Sequence, residues 1–204
     1  MKKFELTTDS IDVNGVKLFR IKSLICFGNV KAGNFGGYIE KEENLSQYGN
    51  AWVYGNAQVY GNAQVYGNAR VYGNAQVYGD ARVFGDARVF GDAWVSGNAW
   101  VCGDAQVYGN ALVCGNALVC GNVLVCDDAE VSGNADYICF KGFGSMNRNT
   151  TMYKKKDGNI CVSCGCFHGT LQEFEEKVKV THGDSKFARE YLACVEAAKI
   201  HFEV

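Results

Sequence analysis

Residues 48–59 read Tyr48-Gly49-Asn50-Ala51-Trp52-Val53-Tyr54-Gly55-Asn56-Ala57-Gln58-Val59, and this six-residue phrase recurs as far as Asn134. Fifteen Gly-Asn/Asp units keep strict six-residue spacing from Gly49 to Gly133, with one departure, Asp127-Asp128. Val closes every unit from Val53 to Val131, and the residue two places earlier is Ala from Ala51 to Ala135, except for Val123. Ala and Val alternate with polar or aromatic residues. That is the period of a strand with one face turned inward. The Gly-Asn pairs tolerate positive φ and mark corners between very short strands.

This spacing resembles the hexapeptide-repeat family of left-handed parallel β-helices over residues 48–136. The resemblance implies a mainly β fold in which three strands and three corners close an 18-residue triangular coil. About five coils would stack at roughly 4.8 Å into a prism on the order of 24 Å long. Each coil would hydrogen-bond to the next, leaving free strand edges only at the two ends.

Residues 18 apart should then stack in columns. The outward position before Val gives Gln58, Gln76, Trp94, Leu112, Glu130 on one face. It gives Gln64, Arg82, Trp100, Leu118, Asp136 on the next, and Trp52, Arg70, Arg88, Gln106, Leu124 on the third. The residue after Val gives columns of Tyr and Phe that change to Cys102, Cys114, Cys120 and Cys126. Early coils thus present Tyr, Gln and Arg. Later coils present Trp94, Trp100, Leu112, Leu118 and Leu124 beside Cys102 and Cys120, which together make a candidate interface. An apolar patch of that size should be covered, by another copy or by the C-terminal segment folding back. Hexapeptide-repeat proteins usually trimerise side by side, so the resemblance implies a homotrimer.

The chain divides into an N-terminal hairpin and irregular first coil (1–47), the repeat (48–137) and a small α+β cap (138–204). Asn14-Gly15 lies between Ser10-Ile11-Asp12-Val13 and Val16-Lys17-Leu18-Phe19, a two-residue hairpin signal. A second hairpin is expected around Asp157-Gly158. Thr170-Leu171-Gln172-Glu173 reads as a capping box opening a helix with Leu171, Phe174 and Val178 on one side. A second helix should begin at Asp184 or Ser185, with Phe187, Tyr191, Val195 and Phe202 on one face. Gly36-Gly37-Tyr38-Ile39-Glu40 and Asn44-Leu45-Ser46-Gln47 resemble the start of a group of gut-bacterial, phage and prophage hexapeptide-repeat proteins. Cys-Gly-Cys-Phe and Thr-His-Gly in the tail resemble the tails of similar phage proteins.

The 204 residues include 25 Gly and no Pro, with a formal net charge of −2. Proline-rich linkers and collagen-like rods are excluded. No global charge favours nucleic acid or an anionic membrane. The N-terminus has no apolar h-region and no apolar run reaches about 18 residues, so neither a signal peptide nor a membrane span is expected. A cytoplasmic location and reduced thiols follow. Residues 48–136 carry eight acidic and three basic residues. The corner aspartates could imitate DNA phosphates; a solvated row with local Asp–Arg pairing is the preferred reading.

The chemistry-bearing residues lie in the tail. Many hexapeptide-repeat proteins are acyltransferases with a histidine base, often near an extruded loop. Here His168, His182 and His201 all lie outside the coils, and no loop interrupts them. Cys161-x-x-Cys164-x-Cys166-x-His168, with His182 beyond, has metal-ligand character. Strand alternation would put Cys164, Cys166 and His168 on one side and Cys161 on the other. Zinc held by Cys164, Cys166, His168 and His182 is one reading. Small buried thiols with no cofactor is the preferred one. The expected function is a non-enzymatic, rigid interaction module, phage- or prophage-encoded, that blocks a host defence system by binding a host protein or sequestering a small nucleotide. The alternatives are an acyltransferase-like enzyme and a structural virion component. No catalytic residue is assigned.

Overall fold

The computed structural model describes residues 1–204. The repeat folds as a parallel β-solenoid of about five turns. Its strands are two or three residues long, from Trp52–Val53 to Glu130–Val131. Each pairs in parallel with the strand 18 residues away: Gln58 opposite Gln76, Arg82 opposite Trp100, Trp94 opposite Leu112. Three sheets result, one per face. The interior is filled by the repeated Ala and Val, all essentially inaccessible from Ala51 to Val131. Small side chains suit it because three strands converge there within one narrow coil.

Backbone bonds between coils run at the corners as well as along the strands. Gln76 N–H donates to Ala93 O at 2.9 Å, and Asn68 N–H to Gly85 O at 2.8 Å. Proline would remove such a donor. At the corner, Gly85 has φ 72°, and a Cβ there would lie 2.9 Å from the backbone N of Gly103. The corner repeat therefore needs glycine for both conformation and close approach of the backbones.

Both ends are closed. Strands β1 (Phe4–Val13) and β2 (Val16–Ser23) form the antiparallel hairpin at Asn14-Gly15, and β3 (Phe35–Ile39) pairs antiparallel to β2. Strand β3 also runs parallel to Gln58–Val59, so the hairpin sheet continues the first face of the prism. Leu45 bridges to Val65 on the second face. Residues 35–47 thus make the irregular first coil. Asn44 is buried there; its Nδ2 donates to Gly61 O (3.1 Å) and Ala63 O (2.9 Å). Lys3 is also buried, with Nζ 3.0 Å from Ala51 O, and burial lowers its pKa to about 8.

At the far end the second face stops one step earlier than the column reading implied. Asp136 does not stack on Leu118. It lies in a 3-10 turn, Asn134–Asp136, where its carboxylate accepts from Ser132 and Gly133, while Asn134 Oδ1 accepts the N–H of Leu118. The turn thus satisfies the Leu118 N–H without another strand.

The cap contains β4 (Tyr137–Phe143), β5 (Arg148–Lys154), β6 (Ile160–Cys164) and β7 (Phe167–Thr170) in one antiparallel sheet. Helices α1 (Leu171–His182) and α2 (Lys186–Phe202) follow. The capping box forms as read: Thr170 Oγ1 accepts from the Glu173 N–H, and Glu173 accepts from the Thr170 N–H. Ser185 caps α2. One side of the sheet places Met152, Val162 and Cys164 against Phe174, Val178, Tyr191 and Val195 of the helices. Tyr153 and Cys161, on the other side, join the interior of the solenoid. Phe187 is the exception on the predicted α2 face and is partly exposed. No helix is long and apolar enough to cross a membrane.

Candidate functional site

The later coils carry two exposed tryptophans. Trp94 and Trp100 are 46% and 41% exposed, and Leu118 is 40% exposed. Trp94 pairs with Leu112 on the first face and Trp100 with Leu118 on the second. The two pairs lie on adjacent faces and flank the corner at Ser96-Gly97-Asn98, a ridge with exposed Asn98 at its crest. The cap reaches only its edge, at Lys156, and leaves both tryptophans exposed.

Leu124 is not part of that ridge. It lies on the third face opposite Gln106, and its N–H donates to Thr151 Oγ1 of β5 at 3.4 Å. The seven candidate interface residues thus divide into a ridge of four, Leu124 beside the cap, and the Cys102–Cys120 pair in adjacent coils. Cys102 and Cys120 stand opposite each other in adjacent coils, with Cα atoms 4.6 Å apart. The parallel register sets their side chains face to face, within the separation a disulfide requires.

Beside Trp94 and Leu112 runs a groove of about 410 Å³ with Asp92, Asp128 and Glu130 along it and Lys156 of the cap at its edge. The corner aspartates do not pair with arginine. Four of them accept from the asparagine one coil earlier: Asn62 to Asp80 at 3.1 Å, Asn68 to Asp86 at 3.1 Å, Asn74 to Asp92 at 3.0 Å and Asn110 to Asp128 at 3.2 Å. Arg82 instead lies over Trp100, 5.3 Å from the ring centroid. A guanidinium on an indole face is a favourable contact, and it leaves the carboxylate row to amide donors.

The zinc set read from the tail is not brought together. Cys164 accepts from Thr150 Oγ1 at 3.1 Å on the helix side of the sheet. Cys166 is exposed in the β6–β7 turn. The His182 ring packs 5.6 Å from Tyr191. Only His168 points toward the solenoid. The physical reason is the turn at Gly165, φ 62°, which reverses the chain inside the stretch read as one strand. The β6–β7 register pairs Ser163 with His168 and Cys161 with Thr170, so Cys161 and His168 share a side.

His168 meets a different group of residues there. Its Nε2 contacts the Asp127 carboxylate and lies 3.4 Å from Cys161 Sγ; its Nδ1 lies 3.8 Å from Cys126 Sγ. The Tyr153 hydroxyl is 3.0 Å from Cys126 Sγ. Burial pushes the thiols of Cys126 and Cys161 up and keeps the Tyr153 hydroxyl protonated far above its ordinary range. Cys126 and Asp127 were missed as site residues. The signal was present: Asp127 replaces glycine in the repeat, and Cys126 ends the column Tyr54, Tyr72, Phe90, Tyr108.

A family model described as YdcK Beta solenoid repeat matches residues 63–79, 75–89, 87–103 and 105–121. No curated protein matches the chain. The matched stretches all lie in the coils, where sequence period and strand register agree. The chain is a repeat β-solenoid protein, similar in those coils to the YdcK repeat.

Proposed function

We propose that the protein is a non-enzymatic, rigid interaction module that associates with copies of itself through the ridge of Trp94, Trp100, Leu112 and Leu118. The carrying observation is the exposure of both tryptophans on coils whose other outward residues are mainly polar or partly buried. Partly exposed indoles with aliphatic neighbours are typical of the centre of an interface. The uninterrupted coils, with no histidine among them, favour this reading over an acyltransferase.

The resemblance to hexapeptide-repeat proteins supports a left-handed coil and a side-by-side trimer. The resemblance of residues 28–47 and of the tail to phage proteins supports a phage or prophage origin, action in the host cytoplasm and an anti-defence role. A host protein or small nucleotide would then be held against the assembled trimer.

Sedimentation velocity tests the assembly. A species three times the 22.3 kDa chain is expected, and Trp94→Glu with Trp100→Glu should yield a monomer with an unchanged far-UV spectrum. A wild-type monomer at every concentration would overturn the reading.

A further inference from the structure

The seam between the last coil and the cap brings together four groups that share one kind of chemistry. Cys126 and Asp127 come from the solenoid, Cys161 from β6 and His168 from β7. One ligand atom each from Cys126, Asp127 and His168 lie within 4.8 Å of one another. Cys161 Sγ, outside that mutual 4.8 Å group, lies 3.4 Å from His168 Nε2 and offers a second sulfur from the cap side. Zinc bonds to sulfur at about 2.3 Å and to imidazole nitrogen at about 2.0 Å, so sulfur and nitrogen on one tetrahedral ion stand about 3.6 Å apart. Cys161 Sγ to His168 Nε2, at 3.4 Å, is close to that value; Cys126 Sγ lies nearest the other ring nitrogen, Nδ1, at 3.8 Å, so the imidazole would have to turn for a single nitrogen to share one ion with both sulfurs.

A second observation points to the same place. Asp127 occupies the corner position that is glycine in the other repeats, and it keeps the corner conformation, φ 54°. Aspartate and asparagine tolerate this conformation, as Asn14 (φ 54°) and Asn147 (φ 48°) do elsewhere in the chain, so the exchange keeps the corner while adding a carboxylate to it. That carboxylate is directed at His168. The Lys155–Lys156 segment is fixed alongside: Lys155 bridges to Ala129, and Lys156 N–H donates to Asp128 O at 3.0 Å. The elements that carry the four groups are therefore held against one another by backbone bonds.

We propose that Cys126, Asp127, Cys161 and His168 bind one thiophilic divalent cation of the zinc class, which fastens the cap to the last coil. Two sulfurs, one imidazole and one carboxylate suit zinc or cobalt and are unsuited to magnesium or calcium. Each thiol gives up its proton to solvent as the ion binds. Of the four tail residues read from the sequence as ligands, only His168 belongs to this site.

The test uses the full chain, purified under reducing conditions from zinc-supplemented culture, with metal measured by mass spectrometry. A stripped sample is titrated with Co²⁺. One metal per chain and a thiolate-to-cobalt charge-transfer band are expected. Cys126→Ser and Cys161→Ser should each weaken the band, and His168→Gln should lower cobalt affinity at least about tenfold. Cys166→Ser, outside the site, should leave both readouts unchanged. Asp127→Gly restores the repeat residue, so it should fold without metal yet bind cobalt at least about tenfold more weakly. Metal-free wild type with no charge-transfer band, or an equal band in the Cys126→Ser, Cys161→Ser double variant, would overturn the proposal and leave a hydrogen-bonded latch.

Discussion

Tyr72 lies flat on Phe90, ring centroids 4.7 Å apart and planes 2° from parallel. Phe90 lies in turn on Tyr108, at 4.8 Å and 7°. This is the spacing of adjacent parallel strands, so backbone stacking sets the ring stacking. Phe90→Ala removes both contacts and should destabilise the fold by about 1–3 kcal/mol. Urea unfolding checks this, with Tyr48→Ala as a control near zero because Tyr48 is 85% exposed.

The corner row contains a like-charge step. Asp86 and Asp104 occupy one column in adjacent coils, whereas Asn68 above them donates to Asp86. Asp104→Asn removes the repulsion and supplies another amide. It should stabilise by about 0.2–1 kcal/mol, and the gain should shrink in high salt. Thermal melts at low and high ionic strength measure both effects.

Asn44 completes the first coil by donating to two backbone carbonyls. Asn44→Ala leaves Gly61 O and Ala63 O without those donors and should cost about 2–3 kcal/mol. Asn44→Asp should cost more at neutral pH, since it also buries a carboxylate among acceptors. Denaturant midpoints of the two variants separate the contributions.

Cys194 is buried in α2, and its pKa is pushed up to about 11, chiefly by burial. The unfolded thiol ionises near its ordinary value of 9.0, so between pH 9 and 11 the native chain binds more protons than the unfolded one. Stability should therefore fall with rising pH across that window. Cys194→Ala should flatten part of the fall, by up to about 2–3 kcal/mol at pH 11. Urea titrations at pH 8 and pH 11 on both proteins check it.

The solenoid was legible because each residue of its repeat has one role. Ala and Val fill the inside, Gly turns the corner, and the 18-residue columns follow from counting. The Thr170 capping box and the Asn14-Gly15 hairpin were legible for the same reason, since their signals are local. The metal-ligand grouping was not. Its reading treated residues 161–168 as one strand, and the turn at Gly165 changes which side chains share a face. Nor could sequence alone place Cys126 beside His168, because that contact depends on how the cap docks. The tryptophan ridge was half legible: columns placed Trp94 and Trp100, but the docking of β5 removed Leu124 from it.

Six residues advance the chain by one face and 18 return it to the same face, so coil count and angular position are linked. The hairpin at one end and the cap at the other are thereby indexed like two dials on one shaft. Removing residues 67–84 would shorten the shaft by one step and leave the dials aligned. Removing only six would turn the cap by a third of a revolution against the hairpin. Variation in the length of this protein is thus quantised: whole coils change its reach alone, and any other change in register also changes which way its ends face.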